Sequence, residues 1–304
     1  MMKQILFSIL IFSATISKAQ TSEVFHGVHM GDNLLEVKTK LRPHFGSLDE
    51  KTLSNPTFPL AEGKETHLIG QDFNTPNGTI DEIVLTFADD KLCLIQAKGN
   101  ALKVVTESRK DTPDIFMHFE AYWDDLIITD RSKDKVWMLT NEGAHPNLFA
   151  WDNPYLPSEG GTARSYEESA EIPDFIEMGA TLDQMRPLLE SASTFTFLRE
   201  LGSEDPNTQA QIDCFGIEYA GFPRKFEARF GDGRLNMIWI LTAKAEEARI
   251  RKKLIRAYGN PIFKDDAWEA FNNWQVFLRK DKPEVLLLTL ELGAYYKKEY
   301  FKQQ

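Results

Sequence analysis

Cysteine is scarce in this chain: two in 304 residues, Cys93 and Cys214. That excludes a small scaffold held together by disulfides. Cys93 lies in the apolar run Leu92-Cys93-Leu94-Ile95, where a thiol serves as a small hydrophobe. An even count in an exported protein permits a bridge, but the two cysteines fall at non-equivalent positions of the internal repeat, and a disulfide is the less favoured reading. Histidine is absent from the second half; all six, His26, His29, His44, His67, His118 and His145, fall in the first. His26 and His29 have an H-x-x-H spacing, but nothing local supplies the third ligand that a metal site wants. They read as solvated surface residues. Positive charge is also short, with 35 Lys and Arg against 46 Asp and Glu, a formal net charge of −11. An acidic surface repels nucleic acid and anionic lipid.

Catalytic signatures are missing too. There is no G-x-S-x-G, H-E-x-x-H, P-loop or Cys–His arrangement in a recognisable context. Asp205, Asn207, Gln209, Gln211 and Asp213 alternate as in a calcium loop. Ala210 stands where the loop needs Gly, however, and Gly216 where it needs a bidentate Glu. The segment reads as a loop running into a strand. Asp124-Asp125 and Asp265-Asp266 read as solvated carboxylates. No catalytic residue, metal or cofactor is assigned from the sequence.

Long apolar runs occur only at the start. Met1–Ala19 has Lys3, the short run Ile5–Phe12 and the small pair Ser17 and Ala19 ahead of Gln20, the pattern of a cleaved secretory signal. No Cys follows the run, so no lipid anchor is expected, and no later stretch is long enough to span a bilayer. The expectation is a protein exported to the periplasm or secreted, beginning near Gln20 and with no membrane span. Loss of Lys3 and Lys18 would make it two charges more acidic.

What is present is apolar content, 42% of residues with 21 Phe. That is enough for two domains with real cores. The organising stretch is 226–261. Phe226, Ala228 and Phe230 alternate with Glu227 and Arg229 as in a strand. Gly231-Asp232-Gly233 supplies a hairpin turn. Leu235–Leu241 is a strand apolar on both faces, and a helix with Ile250, Leu254 and Tyr258 on one side ends at Gly259 and Pro261. Residues 81–105 are a weaker copy, its helix interrupted by Gly99 and Asn100. Further pairs keep the same order: Gly31 with Gly179, Gly70 with Gly216, Phe87 with Phe230, and Trp123 with Trp274.

The predicted fold is α+β, two tandem repeats at 20–150 and 172–304, each an antiparallel sheet packed with two helices. Residues 151–171, rich in Pro, Gly, Ser and Glu, form a linker. A strand over 284–292, EVLLLTLEL, is expected at the centre of the second sheet. Its second apolar face would be covered by the other repeat, which predicts poor solubility for an isolated 172–304 fragment.

The two Met-Gly-helix units, VHMGDNLLEVKTKL and IEMGATLDQMRPLL, resemble the repeats of β-lactamase-inhibitor-like proteins and of small outer-membrane-assembly lipoproteins. That resemblance implies an exported α+β module that binds another protein through a sheet face. The candidate contact residues are Trp137, Phe149, Trp151 and Tyr155, aromatics in or just before the linker. They would form either a recognition patch or a clasp between the repeats. The expected function is binding of a partner protein. Two alternatives remain: a small apolar or peptide ligand held between the repeats, and an enzyme with a site of scattered acidic residues.

Overall fold

The computed structural model describes residues 23–107, 109–156, 168–202 and 204–301. The expected signal segment 1–19 and most of the expected linker lie outside them. The chain forms two eight-stranded antiparallel sheets. The first contains β1 (Ser47–Leu53), β2 (Glu65–Thr75), β3 (Gly78–Ala88), β4 (Lys91–Lys98), β5 (Asp114–Phe116), β6 (Phe119–Tyr122), β7 (Ile127–Asp130) and β8 (Lys135–Leu139). Its spatial order is β1-β2-β3-β4-β8-β7-β6-β5. The second contains β9 (Phe195–Glu200), β10 (Ala210–Tyr219), β11 (Phe222–Gly231), β12 (Arg234–Leu241), β13 (Phe263–Lys264), β14 (Trp268–Phe271), β15 (Val276–Arg279) and β16 (Glu284–Leu288). Its order, read from β9, is identical: β9-β10-β11-β12-β16-β15-β14-β13.

Local details repeat with the topology. The Gly31 amide donates to Leu92 O at 2.7 Å and the Gly179 amide to Leu235 O at 2.8 Å. Both glycines have a φ near 90° that favours glycine. The β3–β4 register slips between Thr86 and Phe87, and the β11–β12 register between Arg229 and Phe230, so the paired phenylalanines sit at equivalent bulges. A Cβ on Gly70 would lie 2.1 Å from the Phe45 ring, and one on Gly216 2.4 Å from the Thr194 hydroxyl. At both positions a side chain closes over bare backbone. Trp123 and Trp274 follow β6 and β14, but Trp123 is exposed and Trp274 buried.

Helices α1 (Leu34–Leu41) and α2 (Ala101–Thr106) in the first half correspond in order to α4 (Leu182–Ala192) and α5 (Glu247–Tyr258) in the second. Asn33 caps α1 by accepting from the Glu36 amide, and Thr181 caps α4 by accepting from the Gln184 amide. Val37 and Leu41 join Leu68, Ile83, Leu85 and Ile95 in one core; Met185, Leu189, Ile250 and Leu254 join Ile212, Phe226, Ile238 and Leu287 in another. The first half's second helix is short, as Gly99 and Asn100 suggest.

The structure departs from expectation at several points. Four strands follow the second helix of each half. Each half then closes with a further helix, α3 (Asn141–Ala144) or α6 (Leu290–Glu299), both capped by threonine side chains, Thr140 and Thr289. The strand expected over 284–292 therefore stops at Leu288, and Leu290 opens a helix. Finally, the second face of the second sheet is covered in two parts: Met237, Phe277, Leu286 and Leu288 pack with Trp274, Leu292 of α6 and Phe301, while Phe195 and Phe215 pack against Phe119 and Phe149 of the first half.

Candidate functional site

The four aromatics singled out in the sequence converge at the seam between the halves. Trp137 and Trp151 are each only 4% exposed, and Phe149 and Tyr155 are half-buried. Trp137 projects from β8, while the others belong to the segment that turns back after α3. Phe58, fully buried, lies 5.3 Å from Trp151 and 6.4 Å from Phe222 of the second half, ring centre to ring centre. Trp151 is itself 5.5 Å from Phe222, and Phe149 is 5.6 Å from Phe215. Tyr155 lies 4.7 Å from the His67 ring. The space between the halves is thus filled with rings. Trp151, Asn153 and Leu156, at the start of the expected linker, are buried there rather than free. The Trp137 indole N–H is buried without a partner.

Charged groups lock the same seam, and the sequence reading missed them. Glu65 accepts at 2.9 Å from the amides of Thr57 and Phe58, and at 2.7 Å from His67 Nε2. Asp89 accepts from the amides of Glu62, Gly63 and Lys64. From α5 in the second half, Arg249 donates to Ala61 O at 2.6 Å and Phe58 O at 3.0 Å. Loop 54–64 is therefore held from three sides. Only Arg249, between Ala248 and Ile250, carried a signal in the sequence, a charge flanked by apolar neighbours; Glu65, between Lys64 and Thr66, carried none.

Glu65, His67 and Thr86 form an acid–imidazole–hydroxyl chain, with His67 Nδ1 3.0 Å from the Thr86 hydroxyl. Its order of groups is that of a hydrolase relay. All three side chains are buried, and Thr86 is fully enclosed. No substrate reaches that hydroxyl, so the chain works as a structural network. Burial pushes the Glu65 carboxyl up. The His67 hydrogen bond, the Phe58 amide, the His67 charge and the Thr57 amide outweigh that, and the group ends below its ordinary 4.5. A depressed carboxyl stabilises the fold above its unfolded value, and that stability is lost as pH falls through the folded value. Lowering pH from about 5 to about 3 is therefore expected to weaken the native chain more than Glu65→Gln, read as the urea midpoint at each pH. Parallel losses in the two proteins would refute the assignment.

With the aromatics enclosed, an accessible concavity lies elsewhere among the described residues. It is an open groove of about 950 Å³ at one end of the second sheet, lined by residues from the Glu177–Ala180 turn, α4, the start of β12 and the N-terminal half of α6. Arg234 Nη1 donates to Gly179 O at 2.9 Å, and Asn236 Nδ2 donates to Gly231 O at 3.2 Å. Gln184, Asn207 and Gln275 add further amides, while Met178, Leu292 and Tyr295 add apolar surface. On α6, Leu290 and Tyr295 are exposed beside the groove, and Tyr300 packs 6.1 Å from Tyr295 and 5.0 Å from the half-buried Tyr296.

Among the described residues, no three His, Cys, Asp or Glu side chains converge as metal ligands. His26 instead stacks on His44 at 3.4 Å, and His29 hydrogen-bonds through its amide to Asp32. Cys93 and Cys214 are free and buried. Burial pushes the Cys93 thiol well above its usual range, and the Cys214 thiol up to about 12. Neither is a nucleophile at neutral pH. No helix among the described residues is long and apolar enough to cross a membrane. Compared with protein-family models, curated proteins and solved structures, the chain shows no match.

Proposed function

We propose that this chain is an exported, tandem-repeat α+β protein, its halves falling at 20–150 and 172–304 and each sheet packed with helices, that binds another protein by taking an extended segment of it in the α6 groove. The observation that carries this reading is the groove itself, open and bordered by exposed Leu290 and Tyr295. Binding sites pair apolar walls with a few placed polar groups. Here Asn207, Asn236, Gln184 and Gln275 suit the backbone amides of an extended chain, and Met178, Leu292 and Tyr295 suit its apolar side chains. Tyrosine gives large contact area at low entropic cost and is common among the residues that dominate interfaces.

The proposal moves the contact surface away from Trp137, Phe149, Trp151 and Tyr155, whose rings are already packed between the halves. A random-peptide display selection on the chain tests it. The recovered peptides are expected to lose about tenfold or more in affinity with Tyr295→Ala and with Arg234→Glu, and to bind normally with the remote exposed variant Ile115→Ala. Selected peptides indifferent to both groove changes would sink it.

A further inference from the structure

The outermost strands β1 and β9 occupy the same position in their sheets but are built differently. β1 reads Ser-Leu-Asp-Glu-Lys-Thr-Leu, and Asp49, Glu50 and Lys51 put charge on its open edge. Charge on an edge strand is how a sheet avoids adding another strand. β9 reads Phe-Thr-Phe-Leu-Arg-Glu. Phe197 and Leu198 point to opposite faces and are 40% and 38% exposed; Leu201, just beyond, is 42% exposed. One face is braced by Phe116 of β5, whose ring is 4.8 Å from Phe197. Among the described residues the edge is unpaired on its outer side and apolar from Phe195 to Leu198, with charge only at Arg199 and Glu200, a condition that invites strand addition.

The hydrogen-bond pattern identifies which groups are free. Leu201 N donates to Gln209 O at 2.8 Å, and the register runs Arg199 opposite Gln211 and Phe197 opposite Asp213. Bonded pairs alternate in an antiparallel ladder. The backbone groups of Thr196, Leu198 and Glu200 therefore face outward. A second antiparallel β9 centred on Leu198 would set Leu198 against Leu198, Thr196 against Glu200 and Phe197 against Arg199. All three outward-facing residues find partners, no like charges stand opposite, and the guanidinium lies beside an aromatic ring. Centring on Glu200 would oppose two glutamates, and centring on Thr196 would push Glu200 past the end of the other strand.

We infer that this chain self-associates as a two-fold symmetric dimer through β9, joining the two copies' second sheets across a Leu198–Leu198 axis. The contact is isologous, as a two-fold axis requires, and it is independent of the α6 groove.

Sedimentation equilibrium of the chain tests the dimer. A concentration-dependent dimer is expected, its dissociation constant raised about tenfold or more by Leu198→Lys. That change copies the charge β1 carries, and because the site is exposed it should leave the melting temperature of the monomer unchanged. The register has its own test. Paired Cα atoms in an antiparallel ladder fall within disulfide reach. Mild oxidation should therefore link Leu198→Cys into a covalent dimer and leave Phe197→Cys unlinked, with Cys93 and Cys214 buried and not competing. A monomer at every concentration, a dimer indifferent to Leu198→Lys, or cross-linking through position 197 instead of 198 would each overturn the inference.

Discussion

Trp151→Ala is expected to lower the unfolding free energy by about 3–5 kcal/mol, the cost of truncating a large aromatic in a filled interior. The reason is its place in the seam. The Trp151 ring touches Phe58 on one side and Phe222 on the other, so its removal opens a void between the halves rather than within one. Its carbonyl accepts from Gln96, whose own carbonyl oxygen accepts from Asn153 at 2.6 Å. The loss should therefore loosen the turn from 147 to 156 as well. Tyr155→Ala should cost less, because that ring is half-buried and packs against the His67 ring. Chemical denaturation of the two variants checks the ranking. A Trp151→Ala protein as stable as the parent would mean that the ring is dispensable to the seam, and would restore it as a candidate contact surface.

The central hairpins were legible because their signals are local. Gly231-Asp232-Gly233 between two alternating runs allows little besides a turn. Gly31 and Gly179 mark the same backbone bond to Leu92 and Leu235 because a positive φ restricts the choice of residue. The short strands over 114–139 carried no such mark, since three- and four-residue strands are too short to show a period. The start of α6 was hidden differently. Leu286, Leu288 and Leu290 continue the strand's alternation, and only Thr289, whose hydroxyl accepts from the Leu292 amide, marks the change. For the four candidate aromatics, sequence cannot say whether a ring faces water or the other half. The groove was not legible at all. Its wall is α6, ten residues long where the matching α3 has four.

The other large effect is expected at Arg224 and Glu246, charges buried in the second half. Arg224 is 1% exposed and Glu246 3%. The guanidinium meets both carboxylate oxygens, Nη2 donating to Oε2 at 2.8 Å and Nη1 to Oε1, while Nε donates to Tyr219 O at 3.2 Å. Glu246 Oε1 also accepts from the Ala243 amide at 2.9 Å, which ties the end of β12 to the start of α5. Removing one member of such a pair strands the other in a medium that solvates it poorly, so Arg224→Met should cost about 3–5 kcal/mol. Glu246→Gln should cost at least as much. Burial pushes the Arg249 guanidinium down; Glu246 opposes that and the neighbouring Arg224 reinforces it. Without the carboxylate, nothing offsets the repulsion between the buried Arg224 and the half-buried Arg249, and Arg249 is the group that reaches across to Phe58 and Ala61. The damage should therefore spread to the seam, read as faster amide exchange at Phe58 and Ala61 in Glu246→Gln than in Arg224→Met. Replacing both residues, Arg224→Met with Glu246→Leu, removes both stranded charges and should recover most of the stability lost in either single variant. If the double variant is as unstable as the sum of the two singles, the pair does not act as a unit, and its contribution lies in the separate backbone bonds to Tyr219 and Ala243.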